Sequence, residues 1–374
     1  MKNTLIYLAS NRKGDELFKE LSKRFDRKHY LFAGYGSLPF ASRMVIRALT
    51  NTGLPLKDCP RLDYRFRVAI AARVKAEVDG IVKNTGIRQA HVICWHGLFP
   101  LTADWRRFGC LSAISDVPMT DAYFSHFRVN SQPARTMRLR LRETMLENCE
   151  NFFTHSEWAA EANKALHPAY SDQICRIGWG SDMPLVSREE ALRPRDSLQV
   201  LCVGNDYFRK GVDFYDQVAG RMKDRIPGLE CLMVGEPGSS LPARKLRNLK
   251  VLGRLPRPEL AALLRNASLF ALFSRFEPAG HVTVEAMTYG VPVICSNEGG
   301  IAEPVVNALT GFVCPSFSID FAVDKACSLL QDPFKLARFR EQAYDHATGS
   351  WLWSHVADRI MRRLVCNGEE VFSR

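Results

Sequence analysis

The stretch SRFEPAGHVTVEAMTYGVPVICSNEGGIAEP runs from Ser274 to Pro304 and places four glutamates, Glu277, Glu285, Glu298 and Glu303, among glycines and apolar residues. The segment SLFALFS (268–274) is almost wholly apolar, as a strand covered on both faces is. RFEPAG is then the loop at the C-terminal end of that strand. HVTVEAMTYG is a helix ending at Gly290, and VPVICS is the next strand. Strand, loop, helix, strand is the rhythm of an α/β domain.

The same rhythm extends outward. Before it lie the strands LQVLCVG, LECLMVG and LKVLGRLP and the helices GVDFYDQVAGRMKD and RPELAALLRNA. After it come the strand GFVCP and the helices FAVDKACSLLQDP, PFKLARFREQAYDHA and WLWSHVADRIMRRLVCNG. The N-terminal half repeats the pattern, with strands in NTLIYLA, HYLFAGYG, QAHVICWHG, GCLSAISDVP and NFFT, and QICRIGWGSD closes it. A long helix, YRFRVAIAARVKAEVDGIVKNTG, is closed by Gly86. Polar, proline-containing residues separate the halves. The expected division is residues 1–182, a linker at 183–197, residues 198–350, and a C-terminal helix at 351–374. Open α/β sheets place ligands beyond the C-terminal ends of their strands, so two such domains predict a ligand cleft.

Composition narrows the choice. A chain of 374 residues, 46% hydrophobic, is long enough for two cored domains. No run of about 18 apolar residues occurs, and the charged N-terminus does not read as a signal peptide. The eleven cysteines form no C-x-x-C pair, so buried free thiols in a reducing compartment are expected rather than a zinc site. A net charge of +11 suits phosphorylated ligands, nucleic acid or an anionic membrane. No zinc finger, basic tail or aromatic–basic RNA signature accompanies it, and no nucleic-acid partner is expected.

Two places carry candidate chemistry. At the entrance of the helix after RFEPAG, Gly280 leaves unpaired N–H groups open to a phosphate. Glu285, further along, would repel that phosphate and suits the paired hydroxyls of a ribose or sugar; Glu277 in the loop would reach a second set. The plainer alternative makes Glu277 a solvated loop residue and Glu285 a local cap. Glu303 is expected in the first turn of a further helix, and Glu298 as a solvated side chain. In VGNDYFRKG (203–211), Arg209 and Lys210 stand at a loop end before a helix, either as a phosphate clamp or as a solvated basic pair.

The stretch from Gly253 to Pro315, with Glu277 and Glu285 separated by seven residues and EAMTYGVPVICSNEGGIAE following, resembles the donor-binding region of family 4 glycosyltransferases. That resemblance implies the GT-B fold, an α/β architecture of two Rossmann-like domains facing each other across a cleft, with the last helix crossing back to the N-terminal domain. It implies that Glu277 holds donor-sugar hydroxyls and Glu285 the nucleotide ribose. The backbone at Gly280, His281 and Val282 would meet the diphosphate. VGNDYFRKG is similar to the family's diphosphate loop, from Gly204 to the cations Arg209 and Lys210, although Asn205 stands where many members have arginine. No bound metal is expected.

In the N-terminal half, CWHGLFP puts Trp95 and His96 past a strand, where His96 suits a hydroxyl or phosphate and Trp95 a sugar face. Asp116 and Asp121 follow another strand, and Asp121 fits the family's TDA-like pattern. Either aspartate is a candidate to orient the acceptor or donor hydroxyl, and His96 and Asp121 are the candidate catalytic residues of this half; structural or solvated roles are the alternatives. Ser156 reads as a helix cap. Gly180, in RIGWGSD, resembles the family's join between domains and is a candidate to approach the phosphate. Arg135, Arg138, Arg140 and Arg142 line one helix, as a peripheral membrane face or as arginines snorkelling over the core.

The expected activity is a retaining transfer of sugar from a nucleotide diphosphate sugar to a saccharide or lipid-linked saccharide hydroxyl. Cell-surface polysaccharide or lipopolysaccharide assembly is the expected setting, in the cytoplasm or peripherally on the inner membrane. A same-fold epimerase or phosphorylase and a nonenzymatic nucleotide-sugar-binding protein are the alternatives. A dinucleotide oxidoreductase is disfavoured because YLASNRKGDEL lacks G-x-G-x-x-G.

Overall fold

The computed structural model describes residues 4–9, 15–32, 60–86, 90–95, 109–115, 117–127, 129–195, 198–238, 242, 245–366 and 369–370. The chain forms two compact units, one of Met1–Gly178 with Val356–Arg374 and one of Trp179–His355.

The first unit holds a six-stranded sheet of β1 (Thr4–Ala9), β2 (Arg27–Phe32), β3 (Ala90–Trp95), β4 (Gly109–Ile114), β5 (Asn151–Thr154) and β6 (Ile174–Arg176). The order is β2-β1-β3-β4-β5-β6, with every pair parallel. Along β1, alternate residues face opposite sides. Ile6 and Leu8 pack with Val92, Cys94 and Leu111 against Phe66, Ile70, Val74 and Val78. Those four recur every fourth residue, which makes one stripe of the helix Pro60–Thr85. On the other side, the Tyr7 ring lies 5.5 Å from Phe18 and 5.9 Å from Tyr30. Ser156 caps the helix Glu157–Leu166, accepting the Ala159 N–H at 3.0 Å.

Two arginines of the helix Gln132–Asn148 fold over rings of their own unit, while Arg140 is exposed. Arg142 is buried, lies 4.8 Å over the Phe152 ring and donates to the Val117 carbonyl at 2.9 Å. Arg135 lies 5.1 Å over Phe124 and donates to the Val129 carbonyl. Among the described residues, no helix is long and apolar enough to cross a membrane. Cys94, Cys202, Cys231, Cys295 and Cys314 are buried free thiols.

The second unit holds β7 (Gln199–Val203), β8 (Glu230–Val234), β9 (Lys250–Gly253), β10 (Leu269–Leu272), β11 (Val293–Ser296) and β12 (Gly311–Cys314). All pairs are parallel, in the order β12-β11-β10-β7-β8-β9. From β7 the sheet grows toward β9; from β10 it grows the other way. The reversal falls between β7 and β10, and in such sheets the loops leaving those two strands flank the ligand crevice.

Residues 183–195, expected as part of a linker, pack onto the second unit. Ser187 caps a short helix, Arg188–Leu192, and Arg188 pairs with Asp345 at 3.0 Å and with Glu341. The buried Arg340 donates to the carbonyls of Ala191 and Arg193, both at 2.8 Å. In the first unit, Asp358 of the helix Trp353–Arg363 pairs with Arg24 at 2.5 Å. Glu303 does not begin a helix. Its N–H turns back to the Gly300 carbonyl at 3.3 Å in a run of turns, because Pro304 follows at once.

Gly211 opens the helix Val212–Arg225 with φ +64°, and a methyl group there would stand 1.8 Å from the Phe273 carbonyl oxygen. Gly211→Ala is therefore expected to lower the unfolding free energy by about 2 kcal/mol or more, measured by urea denaturation.

Candidate active site

The loop leaving β7 is laced to the one leaving β8. Asp206 N–H donates to the Glu236 carbonyl at 3.0 Å and Tyr207 N–H to the Pro237 carbonyl at 3.1 Å. Asn205, standing where an arginine is common in the resembled family, uses its side-chain oxygen to accept the Glu236 N–H at 2.8 Å. Asp206 adopts φ 60° and sets its carboxylate 3.7 Å from Arg209 Nε. Gly204 makes room for Lys210, since a side chain there would meet the lysine stem at 2.9 Å.

The loop leaving β10 is held from the other side. Ser296 Oγ donates to the Ser274 carbonyl at 2.7 Å, and Gly300 N–H donates to the Glu277 carbonyl at 2.8 Å. A Cβ on Gly299 would stand 2.3 Å from that carbonyl oxygen, so the approach requires glycine. With its backbone fixed, Glu277 directs Oε2 onto the other loop. Lys210 Nζ donates to Oε2, and Arg209 Nη1 lies 3.3 Å away while also donating to the Phe276 carbonyl at 3.0 Å.

These three side chains are only 18% (Arg209), 10% (Lys210) and 13% (Glu277) exposed, so they interact more strongly than surface charges do. Burial by itself would raise the Glu277 pKa. The charges of Lys210 and Arg209, the Lys210 hydrogen bond and nearby His281 outweigh burial and hold the carboxyl down at about 2. Glu277 is thus ionised at neutral pH, as the two-cation site requires.

The helix after Glu277 is short, His281–Met287. Gly280 precedes it at φ 62° with no side-chain cap, and Thr283 Oγ1 donates to the Gly280 carbonyl at 2.7 Å. Val282 and the half-buried Glu285 lie on this helix. The His281 ring stands 5.8 Å from Trp179 and 6.1 Å from Trp353. Trp353 in turn donates to Asp182 at 2.9 Å, and its backbone crosses Gly180 so closely that a Cβ would be 2.4 Å from Trp353 N. Gly180 is accounted for by this packing. The aromatic wall beside His281 leaves no signal in the sequence, because its members are far apart along the chain and share no spacing.

Arg209, Lys210 and Glu277 therefore converge, with Gly204, Gly280, His281, Val282 and Glu285 on the same unit. The first-unit candidates are placed differently. His96 and Asp116 lie outside the described residues. Asp121 begins the helix Asp121–His126 with a side chain 99% exposed and 3.5 Å from Arg135. Trp95, a candidate from the sequence to stack on a sugar, is instead buried in the first sheet, its ring 5.2 Å from His155. The strand continues apolar through Trp95, which takes it into the core.

Because the folded pKa of Glu277 lies below its unfolded value, the cluster's contribution to stability is present above the ordinary glutamate range. It is lost as pH falls toward about 2. Glu277→Gln removes the Lys210 carboxylate partner and leaves Arg209 with Asp206 alone at pH 7, so this variant should be less stable than the parent there. The gap should close between about pH 5 and pH 2 in paired urea titrations, as the parent's carboxyl protonates.

Residues 186–346 match the family described as glycosyl transferases group 1. A glycogen synthase of Mycobacterium tuberculosis is 33% identical over 177 residues, which is 45% of this chain and 42% of that protein. The matches span about half the length of such curated relatives. Among solved structures, sucrose-phosphate synthase of Thermosynechococcus elongatus aligns over 96% of this chain and 97% of its own, at TM-score 0.66 and 18% identity. HepE of Anabaena, in complex with UDP-glucose, aligns over 96% of this chain and 98% of its own, at TM-score 0.63 and 16% identity. The two parallel six-stranded sheets are thus those of the GT-B fold, and the resemblance of 253–315 to family 4 glycosyltransferases is borne out.

Proposed function

We propose that this protein transfers a sugar from a nucleotide diphosphate sugar to a hydroxyl of a saccharide or lipid-linked saccharide, with retention at the anomeric carbon. The observation that carries the reading is the convergence of Arg209, Lys210 and Glu277 where the second sheet reverses its strand order. Departure of a nucleoside diphosphate builds negative charge on a phosphate oxygen. Two fixed, little-exposed cations stabilise that charge without reorganising. Glu277, held by the same cations and ionised at neutral pH, accepts hydrogen bonds from donor-sugar hydroxyls. Glu285 takes the ribose, and the N–H groups at Gly280, His281 and Val282 meet the diphosphate. Gly204 keeps the approach to Lys210 open.

In the step itself, the bond from the anomeric carbon to the phosphate oxygen breaks and the bond to the acceptor oxygen forms on the same face. The acceptor proton passes to the departing phosphate oxygen. His96 and Asp121 are assigned to the acceptor side. The protein works in the cytoplasm or peripherally on the inner membrane, in cell-surface polysaccharide or lipopolysaccharide assembly.

Purified protein supplied with a panel of nucleotide sugars and saccharide acceptors is expected to release nucleoside diphosphate only when both substrates are present. Affinity for donor without release would instead mark a binding protein. Glu277→Ala is expected to cut turnover by about a hundredfold or more while the far-ultraviolet circular dichroism stays unchanged. Turnover equal to the parent's would remove Glu277 from the site.

A further inference from the structure

We propose that Arg275 is a positioning residue that holds the Arg209–Lys210 pair in register for a nucleoside diphosphate. This rests on the reading that the pair receives such a group. Arg275 lies two residues before Glu277, yet its guanidinium is committed to the other loop. Nη1 donates to the Phe208 carbonyl at 2.6 Å. Nη1 and Nη2 grip the two oxygens of Asp213 at 2.7 and 2.8 Å, the fork-to-fork geometry particular to arginine. The guanidinium carbon lies 4.3 Å from the Phe208 ring centre and 5.5 Å from that of Phe317. The Arg275 backbone N–H donates to the Arg209 carbonyl at 2.8 Å. Gly211 N–H also reaches the Phe208 carbonyl, at 3.1 Å, so that oxygen has two donors.

One side chain thus ties down residues on both sides of Arg209 and Lys210, from Phe208 to Asp213. It also accounts for two large rings left at the surface, Phe208 at 44% and Phe317 at 38% exposure, which flank the guanidinium. The Arg275–Asp213 pair is itself partly exposed, at 26% and 31%. Pairs of that kind add little to global stability. Loss of the side chain should therefore be felt in the placement of the two cations more than in whether the chain folds. Neither Arg275 nor Asp213 points to this role in sequence, since their 62-residue separation carries no motif.

The test is calorimetric binding of UDP, GDP and ADP, with the matching nucleosides as controls, to the intact chain and to Arg275→Ala, Arg209→Ala and the double variant. Arg275→Ala is expected to weaken binding of the preferred diphosphate about tenfold, in the range of coupling found within one hydrogen-bonded network, and to leave nucleoside binding unchanged. In the Arg209→Ala background the same change should cost clearly less than in the parent, because only Lys210 is left to be placed. Diphosphate affinity equal to the parent's in Arg275→Ala, a fully additive double variant, or an equal loss for the nucleoside would each overturn the proposal. Arg275→Lys keeps a charge but not the planar fork. It is expected to show a smaller loss, again reduced in the Arg209→Ala background, and the same three results in this variant overturn the proposal should the alanine variant not fold. Undiminished diphosphate binding by Arg209→Ala, or none by the parent, would instead sink the functional reading and this proposal with it.

Discussion

One carboxylate facing two adjacent cations organises the second unit. Arg209 and Lys210 are neighbours in sequence and little exposed, so each raises the cost of the other's charge. Glu277 removes that cost by direct contact, and the cations in turn keep it ionised against burial. All three charges are little exposed, and each is paired within the cluster. The cluster lies in the loops leaving β7 and β10, where the strand order reverses, the place at which open sheets of this kind take ligands.

The loops hold this charge cluster because their backbones are paired to the strands beside them. The first is hydrogen-bonded to the loop after β8; the second is pinned by Ser296 and Gly300. Asp206, in a left-handed conformation, adds a second carboxylate to Arg209 and so shares that cation between two acids. Such a cation has a strong field and more than one resting partner, a useful property where a phosphate must be received and released.

The first unit is built by the same rules with different emphasis. Its sheet is covered on both faces, and its arginine-rich helix lays the guanidinium groups of Arg135 and Arg142 over Phe124 and Phe152. Charge in the sequence is therefore a poor guide to charge available at the surface. The +11 balance includes Arg142 and Arg340, whose donors are spent on carbonyls of their own units.

Eleven of the twelve main strands were legible in the sequence as short apolar runs, often ended by glycine or proline; the three-residue β6 was not. The pairing of Glu277 with Glu285 and the basic pair Arg209–Lys210 were legible too, as residue types at short spacing. The chain could not show in one dimension that the two loops are neighbours, since β7 and β10 are brought side by side only by the sheet's order. Contacts between residues 62 or 68 positions apart, such as Arg275 with Asp213 and Arg209 with Glu277, leave no periodic trace. The same limit hid the burial of Trp95, and the anchoring of 183–195 to the second unit, which depends on Arg340. Local pattern determines which segments become strands and helices; the tertiary structure alone decides which loop ends meet, because that is set by how whole sheets bury their faces.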